Sequence, residues 1–151
     1  MIKLIALDLD NTLLEKDLTI PEKTISLLRA CAARGITIVI ATGRLYYSAA
    51  KYAQQIGPST KILCYNGCLV TEADGAPIFE ASLTPDIMRK VASFAKARGL
   101  YSQFYLDHKI LVEKAGFSRF LLYGLFGCRD CLANADSLSD LLRKFHRQCG
   151  F

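Results

Sequence analysis

The chain has 151 residues, 52% hydrophobic and 22% charged, with a formal net charge of +5. That length holds one ordinary domain, or one domain and part of another, and the composition excludes a disordered chain. Its Lys and Arg residues form no block of five or six like charges, which argues against a nucleic-acid stripe and leaves only a mild attraction for anionic substrates.

The opening run, Met1 to Leu7, carries one cation and then gives way to acidic residues, so it lacks the pattern of a secretory signal. No stretch reaches the length of apolar residues that a membrane span needs; Phe117 to Phe126 is interrupted by Ser118, Arg119 and Gly124. The expectation is a cytoplasmic protein whose six cysteines are reduced and mostly buried. Cys128 and Cys131 have the spacing of a zinc or redox pair, but no second pair follows, so metal or redox chemistry there is not expected.

Taken in chain order, Ile2 to Leu7 reads as a strand buried on both faces. Pro21 opens a helix with Ile25, Leu28 and Ala32 in helical spacing, stopped at Gly35. Ile36 to Ala41 is a second, β-branched strand, Tyr46 to Ile56 a second helix ending at Gly57-Pro58, and Lys61 to Tyr65 a third strand. Strands separated by helices of this length predict right-handed crossovers and a parallel sheet. The pattern then changes. Asn66-Gly67 and Asp74-Gly75 are turn dipeptides around Cys68 to Thr71, which predicts short antiparallel pieces. Thr84-Pro85-Asp86 opens a helix running to about Arg98, and Tyr101 to Leu106 with Lys109 to Glu113 reads as a hairpin turning at Asp107-His108. Tyr101, Phe104 and Tyr105 are assigned to the core of this second module. The fold class is thus α/β: a parallel α/β segment followed by an α-β-β unit, two modules with a boundary near residues 80–84.

The chemistry concentrates in Asp8-Leu9-Asp10-Asn11-Thr12, directly after the first strand. Ligands of such sheets bind at the carboxyl ends of the strands. Two carboxylates one residue apart repel unless a cation lies between them, and oxygen-only ligands suit Mg²⁺. One carboxylate can attack phosphorus while the other moves protons. Ala41-Thr42-Gly43-Arg44 ends the second strand, and its hydroxyl, open glycine N–H and helix start make an anion cradle. Arg44 fits equally a surface charge at a helix start and a ligand. Asn66 fits equally a turn residue and a site residue.

This combination, with Tyr65-Asn66-Gly67-Cys68 after the third strand and an α-β-β unit from about residue 84, resembles the haloacid dehalogenase superfamily, specifically its Cof-like branch of sugar-phosphate and cofactor-phosphate phosphatases. The resemblance covers about residues 1–113. It implies Asp8 as nucleophile and Mg²⁺ ligand, and Asp10 as general acid/base with its backbone carbonyl as a second metal ligand. It further implies phosphate contacts from the Leu9 backbone N–H and from Thr42 and Gly43. Leu13 to Thr19 would be a flap over the site, and residues from about 84 a cap that selects a small phosphorylated metabolite. The fold this resemblance implies is a partial Rossmann-like parallel core over residues 1–82 with the start of an α+β cap domain over residues 83–151.

The family's later Lys and Gly-Asp motif have no unambiguous counterpart. The near match is Lys114 with Asp136 and Asp140, but Ala135 replaces the Gly, and Cys131 to Asn134 makes a poor buried strand. The favoured reading is that Asp136 or Ser137 caps a final helix, Leu138 to Gln148, inside the cap. The chain then reads as a C-terminally truncated phosphatase with an open sheet edge and an uncovered apolar face, prone to self-association and weakly active or inactive alone. Two rivals stand beside the phosphatase: a catalytically silent fragment that binds a phospholigand or a partner, and a phosphotransferase of the mutase kind, which would use the same aspartyl-phosphate.

Overall fold

A computed structural model describes residues 1–106, 109–112 and 132–134. The chain divides into two compact units, Met1–Ala81 and Ser82–Phe151.

The first unit alternates strand and helix: β1 (Leu4–Leu7), α1 (Glu22–Ala33), β2 (Thr37–Ala41), α2 (Tyr46–Ile56) and β3 (Lys61–Cys64), followed by β4 (Leu69–Thr71) and β5 (Pro77–Glu80). The sheet order is β1-β2-β3-β4-β5. The first three strands are parallel, with Leu7 paired to Ile40 and Ile40 to Ile62, and the last two run antiparallel. The Asn66-Gly67 and Asp74-Gly75 turns make those two reversals, and the second is pinned by Ala76 N–H donating to Asp74 Oδ1 at 3.0 Å.

One face of this sheet carries the core. Ile38, Ile40 and Ile62 are at most 2% exposed, and Ile5 and Leu7 pack beside them with Ile25 and Leu28 of α1 and Ala49, Tyr52, Ala53 and Ile56 of α2. Arg29 of α1 ties the helices together by donating to the last carbonyls of α2, Gln55 at 2.6 Å and Ile56 at 3.2 Å.

The expectation that the first strand is buried on both faces is corrected. Burial alternates along β1, and Leu4 remains 54% exposed. Side chains of a strand alternate between faces, so burial on both requires cover on both. Among the described residues, α1 and α2 lie on the Ile5–Leu7 side, and β1 forms one edge of the sheet.

The second unit begins with α3 (Pro85–Ala97), where Thr84 Oγ1 accepts from the Ile87 N–H at 3.4 Å and Pro85 takes the first helical position. β6 (Gln103–Leu106) and β7 (Lys109–Val112) pair antiparallel, and β8 (Leu132–Asn134) adds to β7 in parallel. Two readings change here. Leu132–Asn134 does form a strand, in the second unit's sheet, because pairing with β7 supplies hydrogen bonds that local propensity does not register. Tyr101 and Tyr105 are not core: Tyr101, ahead of β6, is 56% exposed, and Tyr105 is 47% exposed while its neighbour Phe104 is 9% exposed, since adjacent strand residues face opposite sides. The proposed turn at Asp107-His108, Lys114, Cys128, Cys131, Asp136, Asp140 and the final helix from Leu138 lie outside the described residues. Among the described residues, no helix is long and apolar enough to cross a membrane.

Candidate active site

The site grows out of the carboxyl end of β1. Asp8 keeps extended backbone angles, and the chain then turns through residues Leu9–Leu13. The turn is closed by Leu13 N–H donating to the Asp8 carbonyl at 3.2 Å and Leu14 N–H to the Leu9 carbonyl at 2.9 Å. Asn11 takes φ +59°, a left-handed conformation that asparagine tolerates better than most side chains. Leu9, Leu13 and Leu14 anchor the turn in the core, leaving the Asp8 and Asp10 side chains exposed above it. Thr12 Oγ1 donates to Asp8 Oδ2 at 3.3 Å.

The end of the neighbouring strand supplies the second half. Thr42 is 5% exposed; its N–H donates to the Leu63 carbonyl at 2.9 Å and its Oγ1 accepts the Arg44 N–H at 3.2 Å. Gly43 is exposed. α2 starts three residues later, so Thr42 and Gly43 lie just ahead of a helix N-terminus, where backbone N–H groups favour anions. Past β3, Tyr65 and Asn66 adopt φ +51° and +55°, and the Asn66 carboxamide comes up against Gly43. Two consecutive left-handed residues without glycine are costly, and such strain concentrates at functional sites. Asn66 thus serves the turn and also stands against Gly43.

Arg44 is not a surface charge. It is 3% exposed; its Nε donates to Asp10 Oδ2 at 2.8 Å and its Nη2 to Asp10 Oδ1 at 2.5 Å, a two-pronged pair between residues 34 positions apart. Nη1 donates to Ser48 Oγ at 3.3 Å, and the guanidinium stands 5.6 Å from the Tyr52 ring centre. The hydrogen bonds from Arg44, and then its positive charge, outweigh partial burial and hold the Asp10 carboxyl below its usual range. The same pairing raises the Arg44 pKa. Sequence offered no signal for this contact beyond the position of Arg44 at the end of an adjacent strand.

The Leu13 to Thr19 segment folds into a small loop: Glu15 N–H donates to the Thr19 carbonyl at 3.0 Å, and Thr19 Oγ1 to Asp17 Oδ1 at 2.7 Å. Tyr52 Oη donates to the Leu18 carbonyl at 3.1 Å and fastens the loop to α2. Asp10, Asn11 and residues 14–18 line an open cavity of about 590 Å³. That volume is within the range of small-molecule sites.

The donor set at the β1 end is entirely oxygen, which fits a hard divalent cation in kind. Among the described residues, no group of three His, Cys, Asp or Glu side chains could hold a metal ion. The Asp10 carboxylate is engaged by Arg44, so its backbone carbonyl and the Asp8 carboxylate are the ligands this turn can offer. Of the residues assigned from sequence, Asp8, Leu9 and Asp10 therefore follow β1, and Thr42 and Gly43 follow β2, side by side at the carboxyl ends of paired parallel strands. Arg44 and Asn66, both left open, join them.

Residues 5–140 match the family model of haloacid dehalogenase-like hydrolases. The 5-amino-6-(5-phospho-D-ribitylamino)uracil phosphatase YitU of Bacillus subtilis is 35% identical over 112 residues, which are 73% of this chain and 39% of that protein. The HMP-PP phosphatase of Yersinia pestis is 32% identical over 91 residues, 60% of this chain and 33% of its own. Among solved structures, a phosphatase of the haloalkanoate enzyme superfamily from Bacteroides thetaiotaomicron superposes with a TM-score of 0.77 at 24% identity, covering 97% of this chain and 53% of that one. A haloacid dehalogenase-like hydrolase from B. subtilis gives 0.76 at 20%, covering 93% and 56%. The chain thus spans roughly a third to two fifths of these curated relatives and about half of the solved structures it resembles.

Proposed function

The chain belongs to the haloacid dehalogenase-like hydrolase family, and on that premise we propose that it carries the nucleophile-bearing half of a Mg²⁺-dependent phosphatase acting on a small phosphorylated metabolite. The observation that carries this reading is the exposed Asp8 carboxylate at the end of β1, next in the sheet to the Thr42-Gly43 cradle at the end of β2. The phosphatase names of the Bacillus and Yersinia relatives support the reaction class.

The reaction proceeds in two halves. An Asp8 oxygen attacks phosphorus, the bond from phosphorus to the substrate oxygen breaks, and Asp10, protonated for this step against the pull of Arg44, gives the leaving oxygen a proton. Water then attacks the phosphoryl-Asp8 with Asp10 taking its proton; the bond to the Asp8 oxygen breaks and inorganic phosphate leaves with Asp8 restored. The Leu9 N–H, the Thr42 hydroxyl and the Gly43 N–H hold the phosphoryl oxygens, where fixed donors contribute most as charge develops. Asp8 and the Asp10 carbonyl would hold Mg²⁺, which when bound supplies positive charge between the carboxylate and the phosphate. The loop from Leu13 to Thr19 lines one side of the open cavity.

Among the described residues, the Asp8 carboxylate and the Asp10 carbonyl leave Mg²⁺ short of oxygen ligands, so the 151 residues alone are expected to turn over slowly. The β1 edge, open among the described residues, and the exposed Ile2 and Leu4 favour self-association. The test is p-nitrophenyl phosphate hydrolysis with and without Mg²⁺, run with light scattering, on this chain and on its Asp8→Ala variant. Slow or absent turnover by an associating chain is the expected result. A monodisperse monomer with Mg²⁺-dependent turnover abolished by Asp8→Ala would show that Lys114, Asp136 and Asp140 complete the site after all.

A further inference from the structure

Arg44 has no part in the two reaction halves, yet it is among the most firmly held side chains beside them. Its backbone is fixed on both sides, the N–H on Thr42 Oγ1 at 3.2 Å and the carbonyl by the Tyr65 N–H at 3.1 Å. Its guanidinium is buried and packed against Tyr52, which is 1% exposed and itself holds the Leu18 carbonyl. Asp10 is its opposite: its side chain is 45% exposed, and it lies in a turn next to a left-handed residue. An aspartate so placed has three staggered χ1 positions open to it unless something selects one. The planar fork of Arg44 meets both carboxylate oxygens, and a two-pronged contact fixes direction as well as distance.

We propose that Arg44 is a positioning residue: it selects the side-chain rotamer of Asp10, and its own rigidity comes from Tyr52 and Ser48. The catalytic consequence rests on the phosphatase reading above, whereas the rotamer selection does not. Burial alone would require that Arg44 have a carboxylate partner; it would not require that the partner be the proton-transfer residue two positions after the nucleophile. Holding a reacting group in one geometry is worth large factors in rate, and a displacement of about 1 Å can cost 10²-fold.

The test measures χ1 of Asp10 by three-bond NMR couplings in the 151-residue chain, with the wild type compared to Arg44→Met and Arg44→Lys. The wild type should show one rotamer. Arg44→Met should average it, and Arg44→Lys, which keeps a buried cation without the fork, should give an intermediate result with the rest of the spectrum unchanged. If Arg44→Met does not fold, Arg44→Lys decides alone. A single unshifted Asp10 rotamer in the folded variants overturns the proposal.

In any longer form with measurable turnover, Arg44→Lys should lower kcat roughly 10-fold or more with little change in KM. It should add nothing further in an Asp10→Asn background. An equal additional loss in that background would mean that Arg44 acts elsewhere and would also overturn the proposal. Undiminished turnover in Asp8→Asn would instead reject Asp8 as the nucleophile, and with it the mechanism proposed above, while leaving the rotamer result intact.

Discussion

Asn66 stands against Gly43 so closely that a Cβ added to the glycine would lie 2.7 Å from Asn66 Oδ1. Real side chains do not approach so closely, so a Cβ at position 43 requires the exposed Asn66 carboxamide to swing aside. Gly43→Ala should therefore destabilise the first unit by up to about 1 kcal/mol, at or below the low end of the range for overpacking. The variant Gly43→Ala with Asn66→Gly should recover most of that loss, because the second change removes the carboxamide and relieves the left-handed strain at position 66. Thermal melting of the two single variants and the double variant checks this; strictly additive losses would mean that the two residues do not interact as described.

Cys64 gives a pH dependence with a defined sign. It is fully buried, and desolvation pushes its thiol from 9.0 to about 11. The unfolded chain ionises first, so the stabilisation is complete below about pH 9 and is lost as pH rises toward 11. Tyr46, raised chiefly by burial, adds to the same alkaline slope. Urea unfolding at pH 8 and pH 10.5 should show stability falling with pH, and Cys64→Ala should flatten part of the fall. An unchanged slope would contradict the assignment. Cys68, which is exposed, should react with a thiol reagent in the native chain, while Cys64 should react only on unfolding.

Asp10 should show two separable effects. Asp10→Asn keeps the shape of the side chain but cannot exchange the proton, and in a form with measurable turnover it should lower kcat by roughly 10² or more. Asp10→Ala also removes the two-pronged partner of a buried guanidinium and should destabilise the fold by about 1–3 kcal/mol. Half the pair's carboxylate faces solvent, which keeps this loss below that of a fully buried ion pair. Turnover within a few-fold of wild type in Asp10→Asn would move the proton-transfer role to another residue.

Much of the first unit was legible in the sequence because its signals are local. β2 is a β-branched run, α2 ends where Gly57 leaves helical geometry, and the two Asp residues follow an apolar strand directly. What was not legible depends on distant partners. The open face of β1 is decided by what lies over it, since Leu4 and Ile5 look alike in sequence and only Ile5 meets the core. The pairing of Arg44 with Asp10 spans 34 positions and has no periodic signature. β8 exists because β7 offers it a ladder. Aromatic residues alone do not distinguish core from surface; the two-residue alternation of β6 turns Tyr105 outward and Phe104 inward.

The central claim is that Asp8 carries the phosphoryl group. The direct measurement is acid-quench trapping of the phosphoenzyme, with Mg²⁺ and a phosphate monoester, in a form of the protein that turns over. The modified residue is then located by mass spectrometry. The account predicts the phosphoryl group on the peptide containing Asp8, lost in Asp8→Asn together with turnover. A phosphoryl group on any other side chain, or undiminished turnover in Asp8→Asn, would contradict it.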